Sequence, residues 1–280
     1  MPVSVARVRP IVQSLPMLQH VSGYRQHATL AGLAATTIKR RGTALRLLVT
    51  ESRIDRPDQL TRDSIERWLL TRPNPQTRAS YLADVRAWCK WLVRDGIIDA
   101  DPSIGIPTPK IPTRLPTPLS TDDVRRLRET IHDPVDRAIL TLGLFAGLRV
   151  SEIGALDAGD IDRGRGTILV RQGKGAKDRV VPAAAIVCAV TAPVGPAIGL
   201  ALQGQTVSRH IRSAFALAGV VGHRPHDLRA TFATELLRST GDVAMVSAVL
   251  GHSSLATTQR YLLVDPPARS VVDGLFAAAA

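Results

Sequence analysis

A proline-rich connector near the middle of the chain most constrains how it can fold. Six prolines lie between residues 102 and 118 of a 280-residue chain. Proline fixes φ and has no backbone N–H to donate, so this run favours an extended, semi-rigid spacer over a helix or a central strand. The sequence therefore predicts two domains with a linker between them. The predicted boundaries are an N-terminal extension at 1–20, a helical domain at 21–105, the linker at 106–118 and a second domain at 119–280.

The chain is strongly basic, and its charge divides unevenly across the connector. Lys plus Arg number 36 against 24 for Asp plus Glu, and 31 of the cations are arginine. Residues 1–118 have 18 cations and 9 anions, whereas residues 119–280 have 18 and 15. Arginine makes forked contacts with phosphate, where lysine acts as a point charge. This charge distribution favours a phosphate-bearing partner, with the first domain the more basic.

The composition excludes several classes of protein. A hydrophobic fraction of 45 % is too high for a disordered basic tail. Cys89 and Cys188 are too few for a disulfide framework or a cysteine zinc site, and they suit a reducing compartment. Pro10 comes where a signal peptide needs an apolar run. We therefore expect a cytoplasmic protein, in which the uncharged stretch 182–202 forms a weak helix or a core loop rather than a membrane span.

Apolar residues recur at helical spacing before the connector. Thr36 is expected to cap one helix, Thr61 a shorter one, and Pro75 to open a long helix that Gly96 closes. Core packing explains the aromatic residues of these helices better than base stacking does. Outward cations are expected to follow a phosphate backbone, with a merely solvated face as the alternative. These cations are Lys39, Arg40, Arg41, Arg78 and Arg86.

Helix and strand signals both occur after the connector. Ser120 is expected to cap a helix, Pro134 to open a second after Asp133, and Ser151 to cap a third. More helices are expected from Thr206 onward.

Two β-branched runs, 167–170 and 179–181, flank a glycine-rich turn and predict a hairpin with Lys174 near its tip. The predicted fold class is therefore mainly α with a small β-hairpin or sheet, an α+β architecture. It combines a helical domain with a mixed, mostly helical second domain.

The second domain places cationic and imidazole side chains where a fold can aim them. His226 and Arg229 are three residues apart at the start of a predicted helix, so they share one face. Each residue alone has an ordinary explanation, such as a surface charge or a core tyrosine. Together they make an anion site that contains a nucleophile. The set comprises Arg149, Lys174, His226, Arg229, His252 and Tyr261.

Four ordered segments carry this set, and they resemble the tyrosine site-specific recombinases, the phage integrase family. The segments are GLRVSEI at 147–153, GKGAKDR at 173–179, HDLRATFAT at 226–234 and LGHSS through TTQRY at 250–261. The helical first part and the proline linker resemble the family's core-binding domain and interdomain linker. The resemblance covers roughly residues 20–275. It points to a simple type without an arm-binding domain.

The resemblance implies a role for each residue of the set. Tyr261 would attack the scissile DNA phosphate, giving a 3′-phosphotyrosyl link and a free 5′-hydroxyl. Arg149 and Arg229 would hold the non-bridging oxygens. Lys174 would protonate the leaving oxygen, and His226 would assist proton transfer at the nucleophile.

Two further residues complete the implied site. His252 would hydrogen-bond the phosphate, and Glu152 would support the region of Arg149. Lys177 is a rival for the role of Lys174, which we favour because it stands between two glycines as in the family motif. No metal or nucleotide cofactor is required, because the phosphotyrosyl ester keeps the energy of the broken bond.

The resemblance also implies a function and partners. We expect integration and excision at double-stranded DNA attachment sites, in the bacterial cytoplasm at the nucleoid, by a clamp-like protein that acts as a homo-tetramer. A directionality factor is a further partner that it allows, and the C-terminal tail would dock on a neighbouring protomer. Alternatives with the same chemistry are a chromosome-dimer resolvase, a mobile-element recombinase and a type IB topoisomerase. A non-catalytic DNA-binding regulator is the alternative from another class.

Overall fold

The chain divides into two compact units, Met1–Thr113 and Arg114–Ala280, and the boundary lies in the proline-rich connector. The computed structural model describes residues 16–112, 115–171, 178–183, 187, 191, 204–251, 258–259 and 261. Each unit has its own buried apolar core. The described elements are helices together with one small antiparallel sheet, which confirms the predicted fold class.

The first unit is helical. Its helices are α1 (Pro16–Leu30), α2 (Ala35–Glu51), α3 (Arg62–Leu70) and α4 (Pro75–Arg94), with a short 3-10 helix at Pro57–Gln59. Trp88 is fully buried, and the Trp68 ring stacks on Tyr81 with ring centroids 5.2 Å apart. The prediction that the aromatic residues pack in the core is therefore confirmed. Helix α1 begins inside the stretch 1–20 that the sequence suggested was an extension.

The helix starts of this unit show where local capping signals suffice. Thr61 accepts a hydrogen bond from the Ser64 N–H at 3.2 Å, as predicted for a cap. The predicted cap at Thr36 is wrong, because α2 begins at Ala35 and Thr36 already lies in its first turn. Ala34 precedes that helix without a side-chain cap.

The second unit combines helices with the sheet. Its elements are α5 (Thr121–Thr130), α6 (Pro134–Phe145), α7 (Val150–Ala155), a 3-10 helix (Ala158–Asp160), β1 (Ile161–Asp162), β2 (Thr167–Val170), β3 (Arg179–Pro182), α8 (Gly204–Leu217), α9 (Asp227–Thr240) and α10 (Val243–Leu250). The strands lie in the order β1-β2-β3, and both pairs are antiparallel. The two strands of the predicted hairpin are confirmed. Strand β1 was not predicted, because two residues are too few to show an alternating pattern.

One of the two predicted caps in this unit forms, and α6 begins at Pro134 as predicted. Ser120 accepts from the Asp123 N–H at 3.1 Å, and Asp133 accepts from the Asp136 N–H at 2.9 Å. The predicted cap at Ser151 is wrong, because Ser151 lies inside α7. The N-cap of α7 is Arg149.

The connector is fastened to each unit at its own end. Ile106 is 4 % exposed and belongs to the first core, and Arg86 donates to the Thr108 hydroxyl at 2.8 Å. Leu119 is buried in the second core, where its N–H donates to Thr231 Oγ1 at 2.8 Å. The prediction that Arg86 is an outward cation is therefore wrong, since its guanidinium holds the connector.

The remaining predicted cations of the first unit differ in their freedom. Arg40 Nη1 lies 2.6 Å from the buried carboxylate of Asp84, and Arg41 Nη1 donates to the Tyr24 hydroxyl at 2.7 Å. Their side chains are 48 % and 24 % exposed, respectively. Lys39 is exposed. Lys39 and the half-exposed side chain of Arg40 are thus available to a partner, whereas Arg41 mainly joins α2 to α1.

The uncharged stretch 182–202 lies mostly outside the described residues. Val187 and Thr191, which are described, are both buried. Among the helices that the structure describes, none combines the length and apolar character that crossing a bilayer demands.

The backbone conformation and close packing of Gly147 lead to a prediction about stability. Its φ is +62°, and a Cβ at this position would lie 2.3 Å from Phe232 Cδ1. Gly147→Ala is therefore expected to lower the free energy of unfolding by about 3 kcal/mol, through left-handed strain and overpacking. Gly241 is the matched control, because its φ is +66° and no atom lies within 4 Å of a Cβ there. Denaturant unfolding should show a loss of only about 1 kcal/mol for Gly241→Ala, and equal losses would contradict the packing argument.

Candidate active site

Arg149 is aimed by the turn between α6 and α7. Its backbone N–H donates to Glu152 Oε2 at 2.8 Å, and its Nη1 donates to Glu152 Oε1 at 2.7 Å. Its Nη2 donates to the carbonyl of Gly251 at 3.2 Å. The same carboxylate thus caps the helix start and orients the guanidinium, which remains 21 % exposed.

Arg229 approaches the same point from α9 and is almost completely buried. Its Nη1 donates to the carbonyl of Gly147 at 2.6 Å and its Nη2 to that of Leu250 at 2.5 Å. Within the described part of the chain, its Nε has no hydrogen-bond acceptor. Burial, followed by repulsion from Arg149, lowers the pKa of Arg229 to about 9. A buried guanidinium with a spare donor is well suited to an anionic ligand.

Glu152 is the shared counter-charge of this cluster. Burial by itself would raise its pKa, but hydrogen bonds from Arg179 and Arg149 lower the pKa to about 2. Arg229 Nη1 lies 3.7 Å from Glu152 Oε2. One carboxylate therefore faces three guanidiniums, and the cluster keeps a positive excess.

The C-terminal turn of α10 is held by the same arginines. The carbonyls of residues 249, 250 and 251 accept, in order, from Arg179, Arg229 and Arg149. These carbonyls form the negative end of the helix dipole, where cations are favourable. The helix end that precedes Tyr261 in the chain is thus bound directly to the arginine cluster.

His226 lies beside Arg149 at the edge of an open cleft of about 700 Å³. It is the residue immediately before α9. Burial, followed by repulsion from Arg229, lowers the pKa of His226. The imidazole is therefore mostly neutral at pH 7 and able to accept a proton. The cleft is lined by Arg149, Val150, Ser151, Gly204, Gln205, Ser208, Arg212 and His226.

Tyr261 lies against α9 and α10 and is 4 % exposed. Its ring belongs to an apolar cluster that includes Ala233, Val246 and Leu250. It is close enough to Arg229 for the two groups to interact electrostatically. The structure thus brings the phenol to the arginine cluster, but in a buried position that the sequence did not predict.

The structure describes some residues of the predicted set and not others. Arg149, Glu152, Arg229, His226 and Tyr261 come together around the start of α9 and the end of α10. The predicted positions that lie outside the described residues are Lys174, its rival Lys177, and His252.

Arg179 and the cleft-facing side of α8 were not predicted as part of the site from the sequence. Arg179 is the last residue of the segment GKGAKDR, and the sequence predicted for it only a place in a strand. Its side chain is 12 % exposed and binds Glu152. Gln205, Ser208 and Arg212 are spaced at 3 and 4 residues, which places them on one helical face. That spacing was the signal for α8, whereas no local pattern marks Arg179.

Comparisons with known proteins point to one family. The family model described as the phage integrase family matches residues 118–193 and 199–266. A tyrosine recombinase XerC of Serratia marcescens is 37 % identical over 206 residues, which are 66 % of this chain and 67 % of that protein. The crystal structure of XerA recombinase is 27 % identical, covers 92 % of this chain and 98 % of its own, and has a TM-score of 0.51.

A further solved structure supports the fold alone. A lambda integrase dimer bound to a COC′ core site is 17 % identical, covers 87 % of this chain and 94 % of its own, and has a TM-score of 0.71. Together with the site, these matches define a recombinase that uses a tyrosine. The chain belongs to the phage integrase family. It is a tyrosine recombinase, and its function is site-specific recombination.

The lowered pKa of Glu152 leads to a prediction about how stability depends on pH. Glu152→Gln is expected to lower the free energy of unfolding at pH 7 by about 3 kcal/mol, because folding lowers the pKa of Glu152 from 4.5 to about 2. A lowered carboxyl pKa stabilises the fold above the unfolded value, and this stabilisation is lost as the pH falls through the folded value.

Denaturant unfolding of wild type and Glu152→Gln between pH 7 and 3 measures this difference. It should be constant above about pH 5.5 and fall to less than half by pH 3. The matched control is Glu235→Gln, whose exposed carboxylate pairs with Arg238 at 2.9 Å and should change stability little. A Glu152→Gln difference that does not shrink in acid would contradict the assignment of this carboxylate as ionised.

Proposed function

We propose that this site cleaves and rejoins DNA strands, with Tyr261 as the nucleophile. The phenol oxygen bonds to the scissile phosphorus, the bond to the 5′-oxygen breaks, and a 3′-phosphotyrosyl ester and a free 5′-hydroxyl result. Attack by a 5′-hydroxyl of another strand reverses the step and releases the tyrosine. The observation that carries the proposal is the pair Arg149 and Arg229, linked through Glu152 beside the phenol.

The two guanidiniums are suited to stabilise the charge that develops in the transition state. They are already held by Glu152 and by backbone carbonyls, so little reorganisation is needed when the phosphate binds. The unpartnered Nε of Arg229 supplies a donor within the buried cluster. Removing one such donor typically raises the barrier by about 2.7–4 kcal/mol.

Two further groups are assigned to proton transfer and a third to binding the phosphate. His226, with its lowered pKa, accepts the proton that the Tyr261 hydroxyl loses. Lys174 donates a proton to the leaving 5′-oxygen, and His252 hydrogen-bonds the phosphate. The last two roles rest on the resemblance of their segments to the family.

The buried position of Tyr261 implies a conformational step. The residue is only 4 % exposed, so most of its side chain is closed to the backbone of a duplex. We infer that the phenol turns out of the apolar cluster before attack, while Arg149 keeps its place at the cleft.

DNA is the partner that the charges favour. Arg149 and Arg212 line the cleft together with the hydroxyls of Ser151 and Ser208, all of which suit a phosphodiester backbone. The lambda integrase of similar fold is bound to a core site. Four protomers acting on two attachment sites, with a directionality factor as a further partner, complete the proposal.

The proposed setting is integration and excision. Chromosome-dimer resolution and mobile-element recombination use the same chemistry and stand as alternatives. A DNA-binding regulator on the same scaffold would not need Tyr261, and a topoisomerase would act on DNA of any sequence.

Covalent trapping tests the proposed nucleophile. Wild type is incubated with a library of nicked duplexes with a randomised centre, and adducts that survive detergent are recovered and sequenced. Wild type should accumulate a covalent adduct, because the short fragment released at the nick diffuses away and cannot be rejoined. The trapped duplexes should be enriched in one sequence class, because a site-specific enzyme cleaves its own site. Tyr261→Phe should form none, since it has no oxygen to attack the phosphate.

The matched control is Tyr81→Phe, whose ring stacks on Trp68 in the first unit and which should form the adduct at the wild-type rate. Absence of an adduct with wild type, or an adduct with Tyr261→Phe, would overturn the proposal. An adduct without sequence enrichment would contradict the proposed action of this site at a defined attachment sequence.

A second experiment decides between Lys174 and Lys177. Lys174→Ala should slow adduct formation about 10²–10⁴-fold on an ordinary duplex, because general acid catalysis is lost. A duplex with a 5′-bridging sulfur at the scissile bond should restore the rate, because a thiolate leaves without a proton. Lys177→Ala is the control and should cleave both duplexes like wild type. If Lys177→Ala is the variant that sulfur rescues, the assignment of Lys174 is wrong.

A further inference from the structure

Arg179 on β3 makes a set of contacts that nothing in the proposed chemistry uses directly. Its Nη1 and Nη2 donate to the two oxygens of Glu152, each at 2.8 Å, and its Nε donates to the carbonyl of Val249 at 3.1 Å. A Cβ on Gly251 would lie 2.8 Å from the Arg179 Cδ, so the stem of this side chain rests on the backbone there. Arg179 is therefore fixed at three points.

Arg179 and Arg149 share the same carboxylate atom by atom. Glu152 Oε1 accepts from Nη1 of both arginines, and Glu152 Oε2 accepts from the Arg149 backbone and from Arg179 Nη2. The carboxylate cannot rotate without breaking four hydrogen bonds. Arg149 takes its orientation from this carboxylate. By holding the carboxylate in place, Arg179 therefore also holds Arg149 in place.

We propose that Arg179 is a positioning residue for strand cleavage, which holds Glu152 so that Arg149 stays aimed at the phosphate. The inference rests on the proposed function and adds a residue to it. Arg179 does not line the cleft, and only 12 % of its side chain is exposed. It therefore acts through Glu152 rather than on the phosphate.

The position of Arg179 in the chain adds a second connection. It is the first residue of β3, directly after the segment that contains Lys174. The same side chain binds the end of α10, which precedes Tyr261. The Arg179 guanidinium thus connects three parts of the site. It joins β3, which follows Lys174, and the end of α10, which precedes Tyr261, to the Glu152 carboxylate that orients Arg149.

Loss of Arg179 has a chemical consequence for Glu152. The carboxylate would keep its burial, which raises its pKa, but would lose two of the hydrogen bonds that lower it. Protonation at mildly acidic pH would then weaken its hold on Arg149. A residue that only supported the fold would not give this pH dependence.

The test uses Arg179→Met, Arg179→Lys and a matched control, with the enriched duplex from the trapping experiment as the probe. Arg179→Met should slow adduct formation about 10- to 100-fold, because a misplaced group near the reacting atoms costs this much. Its Kd for the duplex should change less than about threefold. Arg179→Lys should recover part of the rate. The control is Arg171→Met, which breaks a 2.7 Å ion pair with buried Asp160 next to the same hairpin and should cleave like wild type.

Two further readouts separate positioning from a merely structural role. The ratio of the wild-type rate to the Arg179→Met rate should grow as the pH falls from 8 to 5.5. The double variant Arg179→Met/Glu152→Gln should form the adduct no more slowly than Glu152→Gln alone, because both changes remove the same contact between Arg179 and Glu152. Should Arg179→Met fail to fold, Arg179→Lys should still cleave at least about fivefold more slowly than wild type.

The outcomes distinguish this inference from the proposed function. An adduct with wild type and an equal rate for Arg179→Met would overturn the role of Arg179 alone. Additive losses in the double variant, or a pH-independent loss, would do the same. No adduct with wild type would instead overturn the proposed function.

Discussion

The second unit depends on one buried negative charge, the carboxylate of Glu152. Three guanidiniums approach it, from the turn before α7, from β3 and from α9. Without this carboxylate the three like charges would lie together in a poorly solvated space, at a cost of several kcal/mol per ion. With it, a helix, a strand and two helix ends are joined at a single point. The site therefore owes its geometry to electrostatic pairing as much as to apolar packing.

This arrangement suits the binding of a phosphodiester, which the proposed function requires. Backbone carbonyls at the end of α10 and the carboxylate orient the arginines, yet the positive charges still outnumber the negative one. An incoming phosphodiester thus meets donors that are already in position. The buried phenol of Tyr261 lies next to the same cluster, so the proposed nucleophile and the arginines proposed to stabilise charge are linked through one helix end.

Local signals and tertiary contacts contributed differently to what was predictable. The caps at Thr61 and Ser120 were found from the sequence, because a cap needs only a side chain and an N–H three residues on. The cap at Ser151 was misplaced, because Glu152 bonds the backbone of Arg149 and starts α7 earlier. The structure also showed that Arg86 holds the connector, which no exposure pattern in the sequence revealed.

The α+β class, the main helices, the strands of the hairpin and the family could all be predicted from the sequence, because periodicity and ordered motifs are local properties of a chain. The tertiary structure was needed to show that Arg179 binds Glu152, that the carbonyls of residues 249–251 at the end of α10 each accept from an arginine, and that Tyr261 is buried. Those contacts join residues that are far apart in the chain. Distance and charge in the folded structure determine which residues pair, and the spacing of residues along the sequence does not indicate these pairs.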